Sequence, residues 1–251
     1  MASEKATAIV LRVVDFSETS CVVTLFSREY GKLGALAKGA RRLKGPFDSA
    51  LDLLSVCRIV FLRKSSGALD LLTEAKLLRR FRMSARDIER LYAAYYIAEL
   101  LGELTHEHDP HPELFDLTDV TLERLAGETP VTPIVLRFEL LALRYLGHLP
   151  TFDRCAGCAA NIEPQRRLSF GQLAGGVLCS RCRPGQRQVV SVSAGAIEEM
   201  SIFANPTNEN WLALESDRKI RGEARGLLNH YISNLLGRRP RMYDYLGFLT
   251  K

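Results

Sequence analysis

Four cysteines in one spacing set the strongest limit on this chain. They stand as Cys155-Ala156-Gly157-Cys158 and Cys179-Ser180-Arg181-Cys182, a C-x2-C-x20-C-x2-C pattern. Two residues between thiolates let a tight turn aim both sulfurs at one ion. Two such knuckles supply the four tetrahedral ligands that zinc prefers. Gly157, Gly175 and Gly176 ease the turns around them. Four thiolates leave no open position for water, so the pattern predicts one structural Zn2+; free thiols, disulfides or an iron–sulfur cluster are the alternatives. Residues 151–188 therefore read as a metal-binding module. Cys21 and Cys57 have no partner motif and sit in apolar strand contexts, where buried, inert thiols are expected.

On either side of this module the hydrophobic period differs. Residues 6–16, 20–27, 33–38, 53–63 and 68–75 are short, β-branched or apolar runs separated by polar turns. Five strands in so short a stretch predict a small antiparallel barrel or sandwich over residues 1–80. Near residue 80 the period becomes helical. Residues 84–104 place Ile88, Leu91, Tyr95, Ala98 and Leu101 on one face, with Ser84 as N-cap. A second helix over 112–126 opens at Pro112. A third over 132–147 has Thr132 as cap, Pro133 at its first position and Gly147 as stop. Residues 81–150 thus form the first part of a helical domain. Residues 189–251 complete it with a helix over 193–204 capped by Ser193, another over 216–236, and a basic tail Arg238-Arg239-Pro240-Arg241. The class is α+β.

Charge is unevenly spread along the 251 residues. The net charge is +5, made of +6 in residues 1–80, −6 in 81–150 and +5 in 151–251. A positive excess at domain level is the footprint of a polyanion binder, or of a merely solvated surface. The best phosphate candidates in the first segment are Arg12, Lys32, Lys38, Arg41, Arg42 and Lys44. The run from Lys38 to Lys44 stands out, because Gly39 and Gly45 let backbone approach a strand. Phe16, Tyr30 and Phe47 are candidate stacking platforms, or core residues. Arg166, Arg167, Arg181, Arg183 and Arg187 around the knuckles read mainly as a solvated lobe.

Catalysis finds no support. No phosphate-binding loop, dinucleotide fingerprint, H-E-x-x-H or G-x-S-x-G motif occurs. His106, His108 and His111 cluster beside Asp109 and read as a polar interhelix loop before a metal site. Asp15, Glu18 and Asp48 show no paired-carboxylate arrangement. No run of apolar residues is long enough to cross a membrane, and the acid-bearing N-terminus is unlike a secretory signal; a cytoplasmic place with reduced thiols is expected.

The order of several short stretches resembles the RecO family of bacterial recombination mediator proteins, in its zinc-binding branch. These are Ala8-Ile9-Val10-Leu11, Glu18-Thr19-Ser20, Leu25-Phe26, Tyr30-Gly31-Lys32 and Ala37-Lys38-Gly39-Ala40-Arg41-Arg42. Arg137-Phe138-Glu139-Leu140, Leu146-Gly147 and Leu236-Gly237-Arg238-Arg239-Pro240 follow. The resemblance implies an N-terminal OB-fold, then a helical domain interrupted by the four-cysteine zinc module. Some members lack the cysteines, so the metal is not the activity. It implies a non-enzymatic protein of the bacterial cytoplasm and nucleoid. That protein binds single- and double-stranded DNA and anneals complementary strands. With RecR, it helps load RecA onto strands coated by single-strand-binding protein (SSB). It also implies that the helical domain binds the acidic SSB C-terminal tail. Arg137 is at the family position for tail recognition; an intramolecular ion pair, for example with an acid of the first helix, is the alternative. A zinc-ribbon RNA or scaffold binder and a metal-dependent nuclease built on the histidine loop are the competing classes.

Overall fold

The computed structural model describes all residues except 1–2, 43–45, 48–49, 65–67, 83–86, 216 and 251. It divides into two compact units, Met1–Thr129 and Pro130–Lys251. The division falls after the second helix, whereas the sequence places a boundary at residue 80. Helices one and two belong with the strands because their apolar faces and acids are used there.

In the first unit, β1 (Ser3–Asp15), β2 (Cys21–Ser27), β3 (Gly31–Ala37), β4 (Val56–Leu62) and β5 (Asp70–Arg79) close a barrel in the order β1-β2-β3-β5-β4. All pairings are antiparallel except β3 with β5, and β4 closes back on β1. This is the OB-fold, a five-stranded Greek-key barrel. Alternation drives it: in β3, residues 31, 33, 35 and 37 are buried and 32, 34 and 36 half-buried. The core holds Val10, Val23, Leu25, Leu33, Ile59, Phe61 and Leu72. The β1–β2 register shifts between Val10 and Arg12, a bulge at Leu11. Beyond it, Arg12–Asp15 are all exposed, so the end of this hairpin carries no core-facing side.

Helix α1 (Ile88–Leu104) is capped by the Asp87 carboxylate, which accepts from the Arg90 amide. The expected cap, Ser84, lies outside the described residues. The expected face holds only in the second half of the helix: Ala98 and Leu101 are buried, together with Ala93, Ala94, Tyr96, Ile97 and Leu100, whereas Ile88 is 54% exposed. The helix contains apolar residues nearly all round, so its pattern barely distinguishes one face from another. Helix α2 (Pro112–Ala126) opens at Pro112 as expected and sets Phe115 against Phe26 of the barrel, ring centroids 6.2 Å apart.

The second unit is built on α3 (Val131–Tyr145), every residue of which from Ile134 to Leu143 is buried. Its N-cap is Pro130 rather than Thr132, and no side chain caps it. Gly147 follows in the left-handed conformation, φ +75°. A three-stranded antiparallel sheet, absent from the sequence expectation, comes next in order β7-β6-β8: β6 (Arg167–Gly171), β7 (Gly176–Leu178) and β8 (Val189–Ser193). Helix α4 (Ala194–Ala204) is capped by the Ser193 hydroxyl, as expected. Helix α5 (Arg218–Leu236) ends at Gly237. The basic tail is not loose: short 3-10 turns over Arg241–Tyr245 and Gly247–Thr250 bury Tyr243, Leu246 and Leu249. Across the unit's core, Arg225 of α5 forms a fully buried ion pair with Glu139 of α3. Among the described residues, no helix is long and apolar enough to cross a membrane.

Candidate nucleic-acid interface and metal centre

The end of the barrel that carries the β1–β2 turn gathers several of the expected cations. The Phe16 and Ser17 amides both donate to Ser20 O, closing a tight turn. The loop after β3 is tied to it. The Arg41 amide donates to Thr19 O at 3.1 Å, and Gly39 N donates to Ser20 Oγ at 3.4 Å. The Arg41 guanidinium lies 3.1 Å from Asp15. Gly39 sits at φ +74°, where its carbonyl accepts from the Arg42 amide and the Arg42 side chain lies over it. Arg12, Lys38, Arg41 and Arg42 are exposed here. Phe16 is 66% exposed, and Val13 and Val14 are exposed beside it on the hairpin. A solvent-facing aromatic among four cations is the pairing that lets bases stack while phosphates are neutralised. Val13 and Val14 escape sequence reading because alternation predicts one inward face, whereas all of Arg12–Asp15 is exposed.

Other expected contacts lie elsewhere. Lys32 donates from Nζ to the Gly102 and Thr105 carbonyls, capping the C-terminus of α1. Burial pushes its ammonium pKa down, against the opposing pull of Glu107 and Glu103. Lys44 is outside the described residues. Of the other aromatics, Phe47 is buried in the core, and Tyr30 stands edge-on to Phe61 with its hydroxyl donating to Glu4. The histidine segment is pinned to β3: the His108 amide donates to Lys32 O at 3.0 Å, and a Cβ on Gly31 would meet Asp109 O at 2.0 Å.

Arg137 is 7% exposed. Its guanidinium donates to the carbonyls of Phe203, Asn205 and Pro206 at 3.0, 3.0 and 3.2 Å and lies 5.1 Å from the Trp211 ring centre. The arginine thus caps the C-terminus of α4. Arg144 joins it there, donating to Ala204 O at 2.7 Å.

The two knuckles converge. The ligand sulfurs of Cys155, Cys158, Cys179 and Cys182 all lie within 4.8 Å of one another, with Cys158 and Cys179 3.8 Å apart. Tetrahedral bonds of about 2.3 Å put sulfurs about 3.8 Å apart. Strand β7 positions both knuckles: Ala156 N donates to Val177 O, and the strand runs directly into Cys179. A Cβ on Gly157 would lie 3.2 Å from Cys182 Sγ, so glycine keeps this side of the sulfur cradle clear. Burial raises the Cys155 pKa, but amide donors from Cys179, Gly157 and Cys158 outweigh it and hold the thiol at about 6. Cys182, hydrogen-bonded with the Cys158 thiol, is pushed up to about 12. A cation among these sulfurs replaces the last protons, and a soft, closed donor set of this kind suits a metal. Among the described residues it is the only cluster of three or more His, Cys, Asp or Glu groups close enough to share an ion. Burial raises the thiols of Cys21 and Cys57, the latter to about 12, consistent with inert core residues.

Comparison with known proteins covers nearly the whole chain. The family model described as Recombination protein O N terminal matches residues 1–81, and Recombination protein O C terminal matches 85–243. The DNA repair protein RecO of Rhodopirellula baltica is 44% identical over 262 residues, covering 95% of this chain and 97% of that protein. The protein of the same name from Myxococcus xanthus is 34% identical over 240 residues, covering 96% and 95%. That of Symbiobacterium thermophilum is 30% identical over 252 residues, covering 99% and 98%. A matching barrel, a helical remainder and full-length relatives agree: the chain belongs to the RecO family of DNA repair and recombination proteins.

Proposed function

We propose that the chain is a non-catalytic recombination mediator of the bacterial cytoplasm. It binds single- and double-stranded DNA and anneals complementary strands. With RecR, it helps load RecA onto strands coated by SSB. The observation that carries this reading is the barrel end where exposed Phe16 stands with Arg12, Lys38, Arg41 and Arg42. Annealing forms no covalent bond. It needs phosphate repulsion neutralised and bases left free to pair, which exposed cations around one aromatic supply without reading sequence. Lys44 extends the same loop in sequence and is assigned the same role; Lys32 is assigned to holding α1 on the barrel.

The four cysteines would hold one Zn2+, which supplies folding energy to the knuckle lobe and no reaction chemistry. For the acidic SSB tail, Arg137 is assigned a positioning role. It orders the α4 terminus and the Trp211 ring, and these would form the wall that an apolar, carboxylate-ended peptide meets.

The test is annealing of labelled complementary strands coated with SSB, across a salt series, with the native chain and with Arg41→Glu/Arg42→Glu. Acceleration without nucleotide, weaker at high salt and lost in the variant, is expected. Binding without annealing overturns the mediator reading, and absence of binding at low salt overturns DNA contact altogether.

A further inference from the structure

The β1–β2 hairpin exposes apolar side chains on both of its faces. Cross-strand pairing sets Val13 on the face of the core residue Val23, and Val14 on the face of half-buried Val22. Beyond the core, Val13 is 38% exposed and Val14 42%. Phe16 follows them at the tip, in a turn that is braced from two sides. Ser20 N donates to Ser17 Oγ at 3.2 Å, and the Arg41 guanidinium donates to Ser17 O at 3.4 Å. A platform for one strand needs a single apolar face beside its cations. A stiff hairpin with apolar side chains on both faces and an aromatic at its tip has the chemistry of a wedge, which meets something on each side.

Charge tells the two faces apart. By alternation Arg12 shares the Val14 face and Asp15 the Val13 face. Asp15 lies 3.1 Å from the Arg41 guanidinium, which leaves the Val13 face close to neutral. Glu18 is exposed in the turn itself. A carboxylate there repels phosphate, so the tip suits a place where bases rather than phosphates lie. The last base pair of a duplex is such a place: a broad apolar surface with its phosphates at the rim. An unpaired strand crossing the Val14 face brings its phosphates to Arg12, with exposed Lys38 and Arg42 at the same end of the barrel. A terminal base pair and an unpaired strand occur together only where a duplex opens into single strands. Stacking touches the faces of bases and leaves their pairing edges free, so this contact is blind to sequence and compatible with annealing.

We propose that the β1–β2 hairpin is a wedge for the fork between paired and unpaired DNA, with Phe16 stacking on the terminal base pair while one unpaired strand follows Arg12 and Val14. The inference rests on the DNA-binding reading above and names the form of DNA that its site takes. Two strands that anneal first form a short nucleus of pairs, and that nucleus ends in such a fork. Holding the fork more tightly than separate strands lowers the barrier, because only interactions stronger in the transition state speed a step. The test is fluorescence anisotropy of the full chain on three labelled DNAs of equal nucleotide number: a duplex with two unpaired thymine arms, a blunt duplex and a single strand. The fork is expected to bind about tenfold more tightly than either of the others, within the range that one stacked base contributes. Phe16→Ala brings the fork-to-strand ratio to near one and leaves the salt slope in place, because the cations remain. Phe16→Trp keeps the preference. At saturating protein, Phe16→Ala also slows annealing of complementary strands about tenfold. Equal affinity of the native chain for fork, duplex and strand overturns this inference alone. So does a preference that survives in Phe16→Ala, or one lost in Phe16→Trp. Failure to bind any of the three at low salt overturns the DNA-binding reading with it.

Discussion

In the barrel unit, Lys38, Arg41, Arg42 and Arg12 meet water around the β1–β2 turn. In the second unit, Arg137 and Arg225 turn inward, the first onto the last carbonyls of α4, where exposed Arg144 joins it, and the second onto buried Glu139. The sequence marks both groups only as positive charge. What separates them is whether a helix end or a buried acid lies within reach. A helix C-terminus presents carbonyls without intrahelical donors and a partial negative charge, so it competes with phosphate for any nearby cation. The barrel unit shows the same competition. Lys32 goes to α1, and Asp116 and Asp119 of α2 hold Arg28 and Arg79. The acidic middle segment thus answers barrel cations away from the turn and leaves the turn's own cluster to solvent.

The contrast predicts that damage to the second unit is a stability effect and damage to the turn a binding effect. The largest response is expected from stripping the cysteine cluster with a strong chelator. One zinc per chain should be released, measured by metal analysis. The knuckle lobe should lose protection in hydrogen exchange, since such sites contribute on the order of 10 kcal/mol to folding. Short-strand binding through the barrel should persist. Next comes Glu139→Leu, which leaves Arg225 buried without its carboxylate. A loss of about 3–5 kcal/mol is expected in urea unfolding followed by Trp211, with recovery in the double variant Glu139→Leu/Arg225→Met.

At the turn the signs reverse. Arg41→Ala/Arg42→Ala should leave the unfolding midpoint nearly in place. It should weaken single-strand binding and lower the slope of log affinity against log salt by about 1.4, as two lost phosphate contacts require. An unchanged slope would remove both residues from the interface. The smallest effect is expected at Lys32→Met: about 1–2 kcal/mol of stability from the lost helix cap, with no change in salt slope. A changed slope there would return Lys32 to the DNA and break the distinction.

How far the molecule was legible follows the same lines. The five barrel strands are readable because their alternation repeats over seven or more residues, and the four-cysteine spacing is local by nature. Strands β6 to β8 are not legible in the sequence because they are three to five residues long, and each presents few buried apolar side chains, such as Phe170, Val177 and Val192. The α1 face is legible only at Ala98 and Leu101, because Ile88 precedes the part of the helix that is covered. Phe16 and the Lys38–Arg42 loop could be nominated from residue type. Their union could not, because it depends on hydrogen bonds between loops about twenty residues apart, such as Arg41 N to Thr19 O. The capture of Lys32 and Arg137 was equally hidden, since neither partner is near in sequence.

The extra residue at Leu11 resets the phase of β1 just before the exposed hairpin end. Side chains alternate with period two, so a single deletion there would restore strict pairing and exchange the two faces of Arg12–Asp15. Length changes within the Phe16–Ser20 turn carry no such inversion, because the pairing upstream of the turn is already set. The hairpin can therefore vary in reach while keeping its facing, and a lineage altering its tip is free to lengthen it but not to lose the one unpaired residue beneath.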